Sequence, residues 1–155
     1  MGDTRWLDDE EMRAWKGFLA ASALLNRRLD QQLKVDSGLS HAQYEVLVRL
    51  SAADGGELRM TELADALINT KSGLTYQVTQ LEKAGLVRRR SCPSDVRGVY
   101  AVLTEEGRAK LEEAAPGHVG AVRDLLIDVL TGEQLTAIAD GLGEVARRLR
   151  VRDDG

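Results

Sequence analysis

The chain has 155 residues, of which 43% are hydrophobic but only 4% aromatic, and 21 basic residues against 25 acidic ones give a formal charge of -4. That length suits one domain with a sizeable core, and with so few aromatic residues the core is expected to be Leu, Ala and Val carried on helices. The single cysteine excludes an internal disulfide framework or a thiolate metal cluster, and no uncharged run approaches the roughly 20 residues of a membrane span.

The elements are expected in this order. Apolar residues recur at helical spacing from Leu7 through Met12, Trp15, Phe18, Leu19, Leu25, Leu29 and Leu33, predicting a long amphipathic helix over about Asp8 to Lys34 that Gly38 stops. Ser40 with Gln43 forms a capping box for a second helix, lined by Tyr44, Leu47, Val48 and Leu50, which runs to Ala53 before the break at Asp54, Gly55 and Gly56. Thr61 is the expected cap of a short helix with Leu63, Ala64 and Leu67 inward, Ile68 and Asn69 the turn, and Thr70 the cap of the following helix. In that helix Leu74, Val78 and Leu81 form the inner stripe, while Ser72, Thr75, Tyr76, Thr79 and Lys83 fall on or near the other side. Gly85 ends it with a left-handed residue.

Leu86 to Ser91 and Gly98 to Leu103 are expected to pair as two strands around a bend from Cys92 to Arg97. Thr104 opens a long helix reaching toward Val129, kinked or loosened at Pro116 and Gly117, and Thr131 with Gln134 caps a last helix through Leu149. The C-terminal arginines Arg147, Arg148, Arg150 and Arg152 complement the negative end of that helix, an extra phosphate contact being the alternative. The fold class is thus mainly α with a small β-hairpin wing: a winged helix-turn-helix flanked by long dimerisation helices. Residues 1–155 are read as a single domain, with 8–36 and 105–150 mainly dimerisation helices and 40–103 the DNA-binding unit.

Charge distribution supports this reading. Between Lys71 and Arg97 six basic residues (Lys71, Lys83, Arg88, Arg89, Arg90, Arg97) meet two acidic ones (Glu82, Asp95), a local +4 in a chain of -4. Positive charge is focused where DNA would lie, and the remainder repels phosphate.

Three segments resemble the MarR family of bacterial transcription regulators: Met60-Thr61-Glu62-Leu63-Ala64; Lys71-Ser72-Gly73-Leu74-Thr75 continuing to Leu81-Glu82-Lys83-Ala84-Gly85-Leu86-Val87-Arg88-Arg89; and Asp95-Val96-Arg97 before Leu103-Thr104-Glu105-Glu106-Gly107. The resemblance implies a homodimer with interlocking terminal helices and two winged units on a near-palindromic operator. It also implies that the second helix of the motif reads the major groove and that Arg97 enters the minor groove. Val96 and Tyr76 stand where the family often has arginine.

The candidate DNA contacts are Lys71, Ser72, Thr75, Tyr76, Gln77, Thr79, Lys83, Arg88, Arg90 and Arg97. Hydroxyls and the aromatic face serve base edges and thymine methyls, and Lys71 and Ser72 hold a phosphate at the helix N-terminus. Strand alternation puts Arg88 and Arg90 opposite Arg89, so one of the two sets serves folding or salt bridging. Trp15, Phe18 and Tyr44 are candidate walls of an apolar pocket for a small aromatic or lipophilic effector, with core or dimer packing as their ordinary role. Cys92 reads as an inert wing thiol, a redox sensor being the alternative.

No cofactor or metal is expected, because His41 and His118 lie far apart in sequence and no ligand spacing accompanies them. Nor is an acid, base or nucleophile assembled for catalysis. The expected function is a cytoplasmic, nucleoid-associated, ligand-responsive repressor that binds double-stranded DNA and no membrane; the alternative is a winged-helix protein-interaction module without DNA binding.

Overall fold

A computed structural model describes residues 2–67, 71–92 and 94–153; the side chains of Lys71, Ser72, Cys92, Asp95, Val96, Arg97 and Asp153 also lie outside the description. The chain forms two compact units, residues 1–118 and 119–155.

The first unit begins with α1 (Asp9–Ser37). Its N-cap is Asp8, whose carboxylate accepts from the Glu11 amide at 2.7 Å while Glu11 accepts from the Asp8 amide at 3.0 Å, and Gly38 closes it at φ 72°. The expected Ser40–Gln43 box starts α2 (His41–Ala52). Next come a short 3-10 turn (Asp54–Gly56), β1 (Glu57–Arg59), α3 (Met60–Leu67) and α4 (Lys71–Lys83). The wing strands β2 (Val87–Cys92) and β3 (Asp95–Leu103) follow, and α5 (Glu105–Leu125) leads into the second unit.

The structure differs from the sequence reading at the wing. β1 is a third strand: the sheet order is β1-β3-β2, all antiparallel, with Glu57 opposite Val102 and Arg59 opposite Tyr100. Three residues are too few to show an alternating pattern, and the partner strand lies about 40 residues on. α3 starts at Met60, directly after β1, so Thr61 is its second residue rather than its cap. β3 starts at Asp95, so the backbone of Val96 and Arg97 is strand rather than bend, and Cys92 pairs with Asp95. The expected turn at Ile68 and Asn69, the Thr70 cap and the Pro93 bend lie outside the described residues.

Leu33, Tyr44, Leu47, Leu50, Leu63, Leu74, Val78, Leu81 and Val87 are buried in one core that joins α1, α2, α3, α4 and the wing. α5 is seated on this unit by a tight corner. The Thr104 hydroxyl donates to the Gly85 carbonyl at 2.7 Å and accepts from the Gly107 amide at 3.0 Å. Gly85 is the left-handed residue expected after α4, at φ 76°. A Cβ on Gly107 would stand 2.0 Å from the Leu86 carbonyl oxygen and 2.7 Å from Leu103 Cδ1, so only glycine allows this approach.

Pro116 and Gly117 do not end α5, but the helix stops at Leu125, short of Val129. Leu126 leaves helical geometry at φ -129°, and a 3-10 turn over Ile127–Val129 takes over, with Arg123 paired to Asp128 at 3.1 Å. Thr131 and Gln134 exchange the expected capping bonds at 3.2 and 3.0 Å, and α6 (Gly132–Asp153) follows. Within α6, Arg147 and Arg148 both bind Glu144 one turn back.

Two long helical faces are left without a partner in their own unit. α1 has no buried residue from Asp9 to Arg28, a length of about 30 Å. Along it Met12, Trp15 and Leu19 are 37–50% exposed, and on α6 Ile138, Leu142, Val145 and Leu149, spaced as one helix face, are 37–55% exposed.

Because the obstacle at Gly107 is mostly backbone, Gly107→Ala should lower unfolding stability by about 1–3 kcal/mol through overpacking. Urea denaturation measures this. An unchanged midpoint would show that the corner opens freely.

Candidate nucleic-acid interface

α4 is oriented by its inner stripe. Leu74, Val78 and Leu81 are each no more than 1% exposed, so the opposite face must look outward. There Thr75 and Tyr76 are exposed, Tyr76 to 61%, and Lys83 is exposed at the C-terminal end. Gln77 is half-buried at the edge of this face. Lys71 and Ser72 occupy the first two positions of α4.

The wing is fastened to α4 by Arg89. Strand alternation turns its side chain to the α4 side, where Nη2 donates to Thr79 Oγ1 at 2.7 Å and to the Thr75 carbonyl at 3.2 Å. Thr79 Oγ1 itself donates to the Thr75 carbonyl at 2.8 Å, and Glu82 accepts from the Arg89 amide at 3.0 Å. The Thr79 hydroxyl, expected at the groove, is thus engaged in holding strand to helix.

On the other wing face a second cluster stiffens the sheet. Arg90 makes a two-pronged pair with Glu57, its Nε at 2.9 Å, and its guanidinium lies 4.2 Å from the centre of the Tyr100 ring. Arg59 reaches the same tyrosine from β1, donating from Nε to the hydroxyl at 3.2 Å. Arg90 and Arg59 both stand opposite Tyr100 in the register, so all three strands are tied in one row. Of the three consecutive arginines, Arg89 and Arg90 are bound within the fold and Arg88 projects, exposed. Glu57, Arg59 and Tyr100 escaped the sequence reading because their grouping depends on β1.

Between these clusters lies an open groove of about 540 Å³, lined by residues that include Arg59, Thr61, Thr75, Arg89 and Gly98. It opens where α3, α4 and the wing meet. The Arg97 side chain, expected at the wing tip, lies outside the description, as does the Cys92 thiol.

The three aromatic residues expected around an effector are placed differently from one another. Trp15 and Phe18 lie on the exposed part of α1, half-exposed, with ring centres 6.3 Å apart. Tyr44 is buried in the core of the first unit, its ring 4.3 Å from that of His118.

Comparison with known proteins follows the same outline. A family model described as the MarR family matches residues 39–99. The transcriptional repressor YetL of Bacillus subtilis is 32% identical over 76% of this chain and 70% of its own length. Among solved structures, AbsC of Streptomyces coelicolor, a MarR family transcriptional regulator, is 44% identical, with a TM-score of 0.89 over 95% of this chain and 99% of that one. Sco3205 of the same organism, solved in complex with DNA, is also 44% identical, with a TM-score of 0.91 over 96% of this chain and 93% of that one.

The Arg90 guanidinium holds the Glu57 carboxyl below its ordinary value of 4.5. A carboxylate depressed in the folded state stabilises fully above that ordinary value and loses its contribution as pH falls through the lowered one. Acid unfolding of Glu57→Gln should therefore show a shallower loss of stability below pH 4.5 than the parent chain. Superimposable acid curves would mean the pair does not hold the wing.

Proposed function

The chain belongs to the MarR family of winged helix-turn-helix regulators, and from that premise we infer that this sequence-specific DNA-binding transcription regulator works as a homodimer that represses by occupying a near-palindromic operator. In this reading residues 40–103 form the DNA-binding unit, while 8–36 and 105–150 mainly join the two copies. α4 of each copy enters the major groove, with the two helices about 34–36 Å apart on successive turns of one DNA face.

The observation that carries the reading is the outward face of α4. Its inner stripe is wholly buried, yet Tyr76 is 61% exposed beside a wing braced by two arginine clusters. A large aromatic side chain directed into water by a fixed helix suits contact with base edges and thymine methyls. Thr75 and Gln77 flank it, and Lys71 and Ser72 meet a phosphate at the helix N-terminus. Lys83 and Arg88 supply further phosphate contacts, and Arg97 enters the minor groove. Thr79, Arg89 and Arg90 act at one remove by holding α4 and the wing in register.

The alternative of an interaction module that does not bind DNA is set aside, since Sco3205, 44% identical, was solved on DNA. Dimerisation is supported by the exposed stripes of α1 and α6, each square ångström of which forfeits about 25 cal/mol while left in water. A two-fold pairing covers the same patch on both copies at once. Trp15 and Phe18 belong to that interface here, and Tyr44 to the core.

Electrophoretic titration of operator DNA tests these assignments. Tyr76→Ala and Arg97→Ala should each weaken specific binding about fivefold or more, in line with about 1–3 kcal/mol per base contact. Arg88→Ala should weaken specific and random DNA alike and reduce the salt slope by about one. Unchanged affinity of the Tyr76 and Arg97 variants, or a binding constant insensitive to salt, would contradict the interface.

A further inference from the structure

The two histidines of this chain meet in space. His41 is the first residue of α2 and Glu45 lies one turn on, so both side chains share a helix face, with His41 Nε2 3.5 Å from Glu45 Oε1. His118, on α5, brings its ring to 5.7 Å from the His41 ring. One ligand atom from each of His41, Glu45 and His118 lies within 4.8 Å of the other two. Nδ1 of His118 is shielded from solvent and has no hydrogen-bond partner. A buried nitrogen in that position needs a partner, and neither neighbouring side chain supplies one.

The arrangement is held from outside: the Asp30 carboxylate accepts from the His41 amide at 2.9 Å and is itself fixed by Lys34 at 2.7 Å. Tyr44 lies against the His118 ring at 4.3 Å. Gly117, just before His118, lets α5 approach α1 closely, since a Cβ there would stand 3.2 Å from Gln32 Nε2 and 3.4 Å from Asp36 Oδ2. These contacts fix the backbone of His41 and the place of the His118 ring.

We propose that His41, Glu45 and His118 form a binding site for one divalent transition-metal cation of the zinc class, which ties α2 to α5. Two imidazole nitrogens and one carboxylate oxygen are the donors such an ion prefers, whereas magnesium and calcium favour oxygen alone. Tetrahedral bonds of about 2.0–2.2 Å place donors about 3.3–3.6 Å apart, and His41 Nε2 and Glu45 Oε1 already lie 3.5 Å apart. Side-chain rotation of His118 closes the remainder, and a water molecule completes the fourth position. Burial, and then His41, hold the His118 imidazole below its ordinary 6.5. The site joins the helix that supports the DNA-binding core to the point where the chain leaves the first unit.

The test uses the untagged full chain, freed of metal by chelation. Because it contains only two histidines, the imidazole nitrogen resonances report the site directly. Addition of zinc chloride should move the signals of both rings and saturate at one ion per chain. Competition with a chromophoric chelator should show His118→Leu and Glu45→Gln each binding at least tenfold more weakly, in samples whose far-ultraviolet circular dichroism matches the parent. Should either variant fail to fold, the parent resonances decide alone. Ring signals unmoved by excess zinc, or movement of one ring only, overturn the proposal, as does unchanged zinc affinity in a folded His118→Leu chain.

Discussion

Burial of the inner stripe of α4 governs what the molecule can present to a partner. Leu74, Val78 and Leu81 sit in a core with Leu47, Leu50, Leu63 and Val87, and none can leave without forfeiting roughly 1.5–3 kcal/mol of apolar burial. A helix fixed on one side by three residues at that spacing has no freedom to roll. The exposure of Thr75 and Tyr76 follows from the packing beneath them, and the same core sets the base of the wing through Val87 and Ala101. Arg89 then carries the restraint outward, from Thr75 and Thr79 on α4 to β2, so that helix and wing offer one surface.

The wing shows how charge is divided between holding and touching. Three consecutive arginines look equivalent as a string of residues. In the fold, one is spent on α4, one on Glu57 and the Tyr100 ring, and one projects into solvent. A guanidinium already bound to a carboxylate contributes shape and stiffness more than counterion release. In the proposed interface, Tyr76 on the outward face of α4 would favour apolar and hydroxyl contact over charge.

What was legible in the sequence was local. The Ser40–Gln43 and Thr131–Gln134 boxes, the Gly38 and Gly85 stops and the α4 stripe each depend on residues within two turns of one another, and all stand as expected. Features built across the chain were not legible. β1 is too short to announce itself and exists only through β3; the end of α5 depends on Leu126 leaving helical geometry despite a continuing apolar period. Alternation separated Arg89 from Arg88 and Arg90, but that Arg89 and Arg90 would each be bound within the fold depended on where α4 and β1 lie. The sequence reading set His41 and His118 apart and passed over Glu45, because their meeting required α5 to fold back along α1 and α2.

The apolar faces of α1 and of α6 each lack a partner within their own unit, and in the proposed homodimer a second copy covers them while each reader meets one half-site. Selection of bound duplexes from a random pool, using the purified chain, bears on this most directly. The account predicts an inverted repeat whose half-site centres lie about 10–10.5 base pairs apart, recovered with two chains per duplex. Enrichment of an isolated half-site held by one chain, or of no common sequence, would contradict it.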